Sequence, residues 1–267
     1  MHFIENLSIR KKLILMLVFP LIGLTIFTIF TLNELYQVYV ESSYITTEAK
    51  ELDKTAAIIH ELQKERGLSV GFSNKKDHTQ EEVNKLKNQR ELSDKTIEEL
   101  KKDGVKLDAL EKLGSYRSSI DSISSTEIAQ NYTNLIANIM SQTDTVIQKI
   151  SGDFIHLANT YKTISHMKEI RGQTRAMVNG ILTKDIATRE ELYKTAGQNA
   201  HFLALEKVLD ASFPNEIKNV YENSVRNAPE RQLVMQMLSR ILEKAEAGKF
   251  GIEPKNWFDS ITILIDA

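Results

Sequence analysis

The chain has 267 residues, a formal net charge of −2 and no cysteine, with only 4 prolines and 11 glycines. That length is enough for one or two domains with a buried core. The charge gives no reason to expect nucleic acid as a partner. The missing cysteines exclude disulfides, thiolate chemistry and zinc–cysteine sites, and the scarcity of proline and glycine favours long helices over strands.

Residues 13–32 are apolar apart from Thr25, Thr28 and Thr31, and carry no charge. About 20 such residues span a bilayer as a helix. Arg10, Lys11 and Lys12 precede the run, and no lysine or arginine follows until Lys50. The positive-inside rule therefore predicts a cytoplasmic segment at 1–12, a transmembrane helix at 13–32 and an extracytoplasmic remainder at 33–267. A cleaved signal peptide is the alternative. The run is long for one, and Asn33-Glu34-Leu35-Tyr36 makes a poor cleavage site.

From Leu35 and Val38 to Ala56, Ile59 and Leu62 the apolar residues keep a three-and-four spacing, which predicts continuous helix. This pattern runs into Leu62-Gln63-Lys64-Glu65-Arg66-Gly67-Leu68-Ser69-Val70-Gly71-Phe72. Glycine inside a helix costs roughly 1 kcal/mol relative to alanine, so two of them four residues apart imply close approach of another helix on that face. An arginine beside such a contact must find a partner. Arg66 is followed by Gly71-Phe72 as Arg175 is followed by Gly180-Ile181, so two related segments each bring an arginine inward.

Ser73 to His78 reads as a turn. Thr79–Glu82, Ser124–Glu127 and Thr188–Glu191 are capping boxes that open helices. The first of these helices runs to about Asp103. Short helical pieces are expected over 106–113 and 116–123, split by Gly114. A single long helix is expected over 127–182, marked by Ile128, Tyr132, Leu135, Ile139, Val146, Ile150, Phe154, Leu157 and Tyr161. A helix from 189 to about 211 follows, with Leu192, Ala196, Phe202, Leu205 and Leu209 inside. Pro214, Pro229 and Pro254 each suit the first turn of a further helix. The last one ends inside its apolar pattern, so the chain is expected to stop short of a second spanning helix. Together these elements predict an all-α protein: an N-terminal transmembrane helix and two stacked antiparallel bundles sharing long helices.

Arg171 and Arg175 are four apart and share a helix face. If the two echoing segments meet, the guanidiniums of Arg66, Arg171 and Arg175 converge. Such forks suit a small oxyanion through paired hydrogen bonds, with Gly67, Gly71, Gly172 and Gly180 packing around the site. Solvated or carboxylate-paired arginines are the plainer reading, and close helix packing alone would account for the glycines. The scattered His60, His156, His166 and His201 do not form a bundle metal site. No phosphate loop or nucleophile elbow is present. No metal, cofactor or enzymatic activity is expected.

Residues 62–72 resemble the signature of the NIT domain, the nitrate- and nitrite-sensing domain of bacterial receptors. Gln89-Arg90 with Asp94, then Lys168-Glu169, Gly172 and Arg175-Ala176, and finally Gly251-Ile252 with Trp257-Phe258, Thr262 and Ile265-Asp266, resemble its later segments in order. The resemblance covers roughly 45–267. It implies two helical bundles with nitrate or nitrite held by arginines between helices. It also implies a signalling output, such as a methyl-accepting chemotaxis receptor. Arg66 and Arg175 carry over best, Arg171 second. A late arginine, Arg226 or Arg231, belongs to some such sites.

The expectation is thus a homodimeric receptor in the inner membrane, single or double pass. Its sensor faces the periplasm or exterior, and anion binding shifts helices across the membrane. The alternative is a helical adaptor that binds a partner protein without a small ligand.

Overall fold

The computed structural model describes residues 8–75, 77–148, 150 and 154–267, the side chains of residues 41, 44, 45 and 47 excepted. Residues 1–7 of the expected cytoplasmic segment lie outside that set, as do positions within the expected 127–182 helix. The described residues fold into helices α1 (Ile9–Ser73), α2 (Gln80–Lys102), α3 (Leu113–Ser118), α4 (Ser125–Ile147), α5 (Ile155–Lys184), α6 (Arg189–Ser212), α7 (Asn215–Tyr221), α8 (Pro229–Lys244) and α9 (Pro254–Asp266). Among these residues there is no strand. Two compact units divide the chain, 1–50 and 51–267.

The first unit holds the N-terminal part of α1. Ile9–Val40 is long and apolar enough to cross a membrane. Its large apolar side chains are exposed almost throughout, including Leu35 and Val38 at the start of the expected apolar stripe. The hydroxyls of Thr25, Thr28 and Thr31 donate to the carbonyls of Leu21, Leu24 and Phe27 at 2.8, 2.8 and 3.0 Å. Each hydroxyl of the run is thereby satisfied within the helix, as hydrocarbon requires.

In the second unit the stripe is buried at Leu52, Ile59 and Leu62. All three capping boxes form with both reciprocal bonds, and Pro229 and Pro254 occupy the first turns of α8 and α9. Antiparallel hairpins follow from the short turns. Lys54 pairs with Asp103, and Gln89 donates to Glu61 Oε2 at 2.6 Å across α1 and α2. Lys184 pairs with Glu191 at 2.7 Å across α5 and α6.

One core lies among α1, α2, α3 and α4, around Ile58, Leu62, Leu100, Tyr132 and Ile136. Another lies among α5, α8 and α9, around Val178, Val234, Ile241, Trp257 and Ile261. A third joins α5, α6 and α7 through Met167, Phe202 and Leu209. Each such fully buried side chain contributes roughly 1.5–3 kcal/mol by leaving water.

The expected single helix over 127–182 is two helices. α4 ends at Ile147 and α5 begins at Ile155. Ile147, Ile150 and Ala158 pack together with Leu52 of α1, so the apolar spacing resumes from one helix to the next and hides the break that Ser151-Gly152-Asp153 signals in the sequence. Two smaller differences occur. Gly114 lies inside α3 instead of splitting two helices. Thr195, not Ala196, faces the interior of α6.

Candidate functional site

The C-terminal part of α1 and helix α5 run parallel along a seam. The pairings rise together along both helices. Tyr161 donates to the Leu52 carbonyl at 2.9 Å, and Gln63 to Glu169 at 2.9 Å. Gly71 lies against Asn179 and Gly180 against Asn74.

The two echoing segments meet here, and Gly172 makes room for Arg66, while Gly67 makes room for the Phe258 ring beside Arg175. A Cβ on Gly172 would lie 2.8 Å from the Arg66 Nη2. One on Gly67 would lie 3.9 Å from the Arg175 Nε and 3.2 Å from the Phe258 ring. Any side chain at Gly172 must therefore displace the Arg66 guanidinium.

Both arginines are buried, Arg66 at 0% and Arg175 at 1% exposure, but their partners differ. Arg66 is ion-paired with Glu169: Nη1 donates to Oε1 at 2.6 Å and Nη2 to Oε2 at 3.3 Å, with a further bond from Nη1 to Thr133 at 3.1 Å. Gln63 and Gln173 also donate to that carboxylate, at 2.9 and 2.8 Å. Arg175 has only neutral acceptors. Its Nη1 donates to Thr262 at 2.9 Å and its Nη2 to the Gln63 carbonyl at 3.2 Å, while its guanidinium carbon lies 4.9 Å from the Phe258 ring centre. Burial and the charge of Arg66 push its pKa down to about 10. The Nε groups of both arginines are buried without a hydrogen-bond partner.

Arg66 also lines a cavity of about 370 Å³ with Thr133, Gln173 and Gln198; exposed Thr126 and Lys194 stand at its edge. Arg175 is not part of that wall.

Arg171 goes elsewhere. One turn from Arg175 on α5, it lies 3.6 Å above the Phe202 ring and donates to Asn199 Oδ1 of α6 at 3.3 Å. Of the two late arginines, Arg231 is its neighbour in space; Arg226 pairs with Glu222 and, at 2.9 Å, with Asp210. The structure thus brings Arg66 and Arg175 together and sets Arg171 apart with Arg231.

Gln63, Thr133, Phe258 and Thr262 complete the surroundings of the two seam arginines. Gln63, Phe258 and Thr262 lie in the segments that carry the family resemblance, though no role was expected of them there; Thr133 carried no signal in the sequence. Among the described residues, no group of three or more His, Asp or Glu is placed to hold a metal.

The comparisons with known proteins agree with this architecture. Residues 57–267 match the family model described as nitrate and nitrite sensing. The solved structure of the transcription antiterminator NasR superposes with a TM-score of 0.73 at 14% identity, covering 85% of this chain and 66% of that one. At that identity the likeness shows a common fold, and the chain spans just under two thirds of that structure's length. No curated protein sequence matches the chain.

Proposed function

The chain belongs to the nitrate- and nitrite-sensing (NIT) family, and from that premise we propose that 33–267 is the extracytoplasmic sensor of a membrane-anchored, homodimeric signalling receptor, with nitrate or nitrite bound between Arg66 and Arg175. A chemotaxis receptor is the proposed setting, anchored in the inner membrane by the helix at 13–32 with its N-terminus in the cytoplasm.

The observation that carries the site is a surplus charge. Of the two buried guanidiniums only that of Arg66 is paired with a carboxylate, Glu169; Asp266, which is exposed, acts on Arg175 only at a distance, so one positive charge inside the seam has no buried counter-charge. A monovalent anion balances it. The Nη edge of Arg66 is taken by Glu169, and its Nε is free, as is the Nε of Arg175. A small trigonal oxyanion accepts from several such donors at once. The cavity that reaches Arg66 supplies a route.

Binding acts on conformation through differential affinity. Without the anion the surplus charge disfavours close approach of α1 to α5 and α9; with it, the helices tighten. A ligand shifts an equilibrium only by such a difference. We propose that the resulting displacement of α1 is carried along the same helix toward the membrane.

The test is calorimetric titration of the full chain in detergent with nitrate, nitrite, chloride and acetate. Saturable binding of nitrate or nitrite, with chloride and acetate weaker, supports the reading. It should be lost in Arg66→Gln and Arg175→Gln while helical content stays. Absence of heat and of thermal stabilisation at millimolar anion would return the chain to the adaptor reading.

A further inference from the structure

A second cavity, of about 160 Å³, lies among α5, α6, α7, α8 and α9, and Arg66 and Arg175 are not among its lining residues. Its wall is mostly hydrocarbon: Ile164, Met167, Ile217 and Leu264 contribute, with the rings of Phe202 and Tyr221. Two arginines, Arg171 and Arg231, also line it, and the exposed Lys168 stands at its edge.

Their charges are unequally met. Arg231 is held by a fork on Glu206, at 2.6 and 2.8 Å, and the Tyr221 hydroxyl donates to the same carboxylate at 2.5 Å. Arg171, only 4% exposed, has no carboxylate among the described residues; its hydrogen bond is the long one to Asn199, and its planar face is covered by Phe202. Burial and the nearby Arg231 push its pKa down to about 10, with Glu206 opposing from a distance, while the carboxylate of Glu206 is spent on Arg231 and Tyr221. Buried charge without a counter-charge is costly. Two guanidiniums and one carboxylate again leave one positive charge, here facing apolar walls.

We propose that this cavity binds a small monocarboxylate with an apolar body, its carboxylate on Arg171 and its hydrocarbon against Phe202, Ile217 and Leu264. The size fits one ring: an apolar cavity of roughly 150 Å³ takes up benzene. Nitrate has no apolar body to fill the space, so the cavity and the seam select different anions. The occupant sits between α5 and the α6–α7 corner, and it gives the domain a second input on the helix that also carries Arg175.

The test uses the full chain in lipid nanodiscs, with benzoate as probe, benzyl alcohol as its neutral counterpart and empty nanodiscs as blank, read by calorimetry. Benzoate should bind saturably, and benzyl alcohol about tenfold more weakly or worse, since a hydrogen bond to a charged group is at stake. Arg171→Gln should lose benzoate. Ser224→Trp, at the exposed rim of the cavity, should block it without touching a buried charge, and serves if Arg171→Gln does not fold. Arg175→Gln should keep benzoate binding. No binding to the unaltered protein, equal binding of the alcohol, or binding that survives both Arg171→Gln and Ser224→Trp would overturn the proposal. So would loss in Arg175→Gln alone, which would put the carboxylate in the seam.

Discussion

Glu65 and Arg66 are adjacent in α1 and enter different environments. Glu65 points into the first bundle, where Arg117 grips it at 2.6 and 2.9 Å and Tyr132 donates at 2.7 Å. Arg117 is in turn held by Asp94 at 2.6 Å. Arg66 points into the α1–α5 seam, where it shares the carboxylate of Glu169 with two glutamine amides while Arg175 has none. The first environment is balanced in charge: the carboxylates of Glu65 and Asp94 face the guanidiniums of Arg117 and Arg90, although the Arg90 Nε makes no hydrogen bond. The second is one buried negative charge short. Balanced charge marks a part built to hold the fold. A shortfall at a close-packed seam marks a place for something that comes and goes.

The largest effect is expected from breaking the balanced network. Glu65→Gln leaves Arg117 without its buried partner, and breaking a buried pair from one side costs about 3–5 kcal/mol. Denaturant unfolding should show it directly. A loss well under 1 kcal/mol, on the order of an exposed pair, would erase the distinction between the two regions.

Acid is a gentler form of the same break. Burial opposes ionisation of Glu65, but the hydrogen bonds and charge of Arg117, with Ser93 and Tyr132, outweigh it and hold the carboxyl below its ordinary value of 4.5. Because the folded pKa is depressed, its stabilisation is fully present above about pH 4.5 and is lost as pH falls through the lower folded value. Glu206, buried but held by Arg231 and Tyr221, adds to the same trend. The unfolding temperature should therefore fall below pH 4.5, and less steeply in Glu65→Gln.

Gly172→Ala comes next. The new Cβ falls 2.8 Å from an Arg66 nitrogen that is locked on Glu169. Overpacking of this kind costs about 1–3 kcal/mol, and it should weaken nitrate binding as well, since the site itself is displaced. An unchanged unfolding temperature and affinity would show that the seam is looser than its geometry.

The smallest change in stability belongs to Arg175→Met. Removing a buried cation that lacks a carboxylate and keeping its hydrocarbon volume should leave stability unchanged or raise it by about 1 kcal/mol. Arg117→Met, by contrast, strands Glu65 and should destabilise strongly. Paired unfolding curves for these two variants sharpen the contrast in a single experiment.

Much of this was legible in the sequence. The capping boxes and helix-opening prolines set the element starts because both act through bonds within one turn. The paired arginine–glycine segments gave the seam because a helix interior tolerates glycine only for a reason such as close approach. Other features are tertiary and leave no local mark. The break between α4 and α5 was hidden by apolar residues on either side of it, Ile147, Ile150 and Ala158, which pack together with Leu52 of α1. Arg171 and Arg175 share a helix face by spacing, but four residues advance about 40° beyond a full turn. Long side chains widen that offset, so one reaches the seam and the other reaches α6. Glu169 stood near both in sequence but paired with Arg66 across 103 positions.

The most direct measurement is nitrate titration of the unaltered chain and of Arg175→Met, with thermal unfolding of both followed in parallel. The surplus-charge account predicts saturable binding and ligand-dependent stabilisation in the unaltered chain, and neither in Arg175→Met, whose ligand-free unfolding temperature is equal or higher. Nitrate binding of equal strength in both proteins would contradict it.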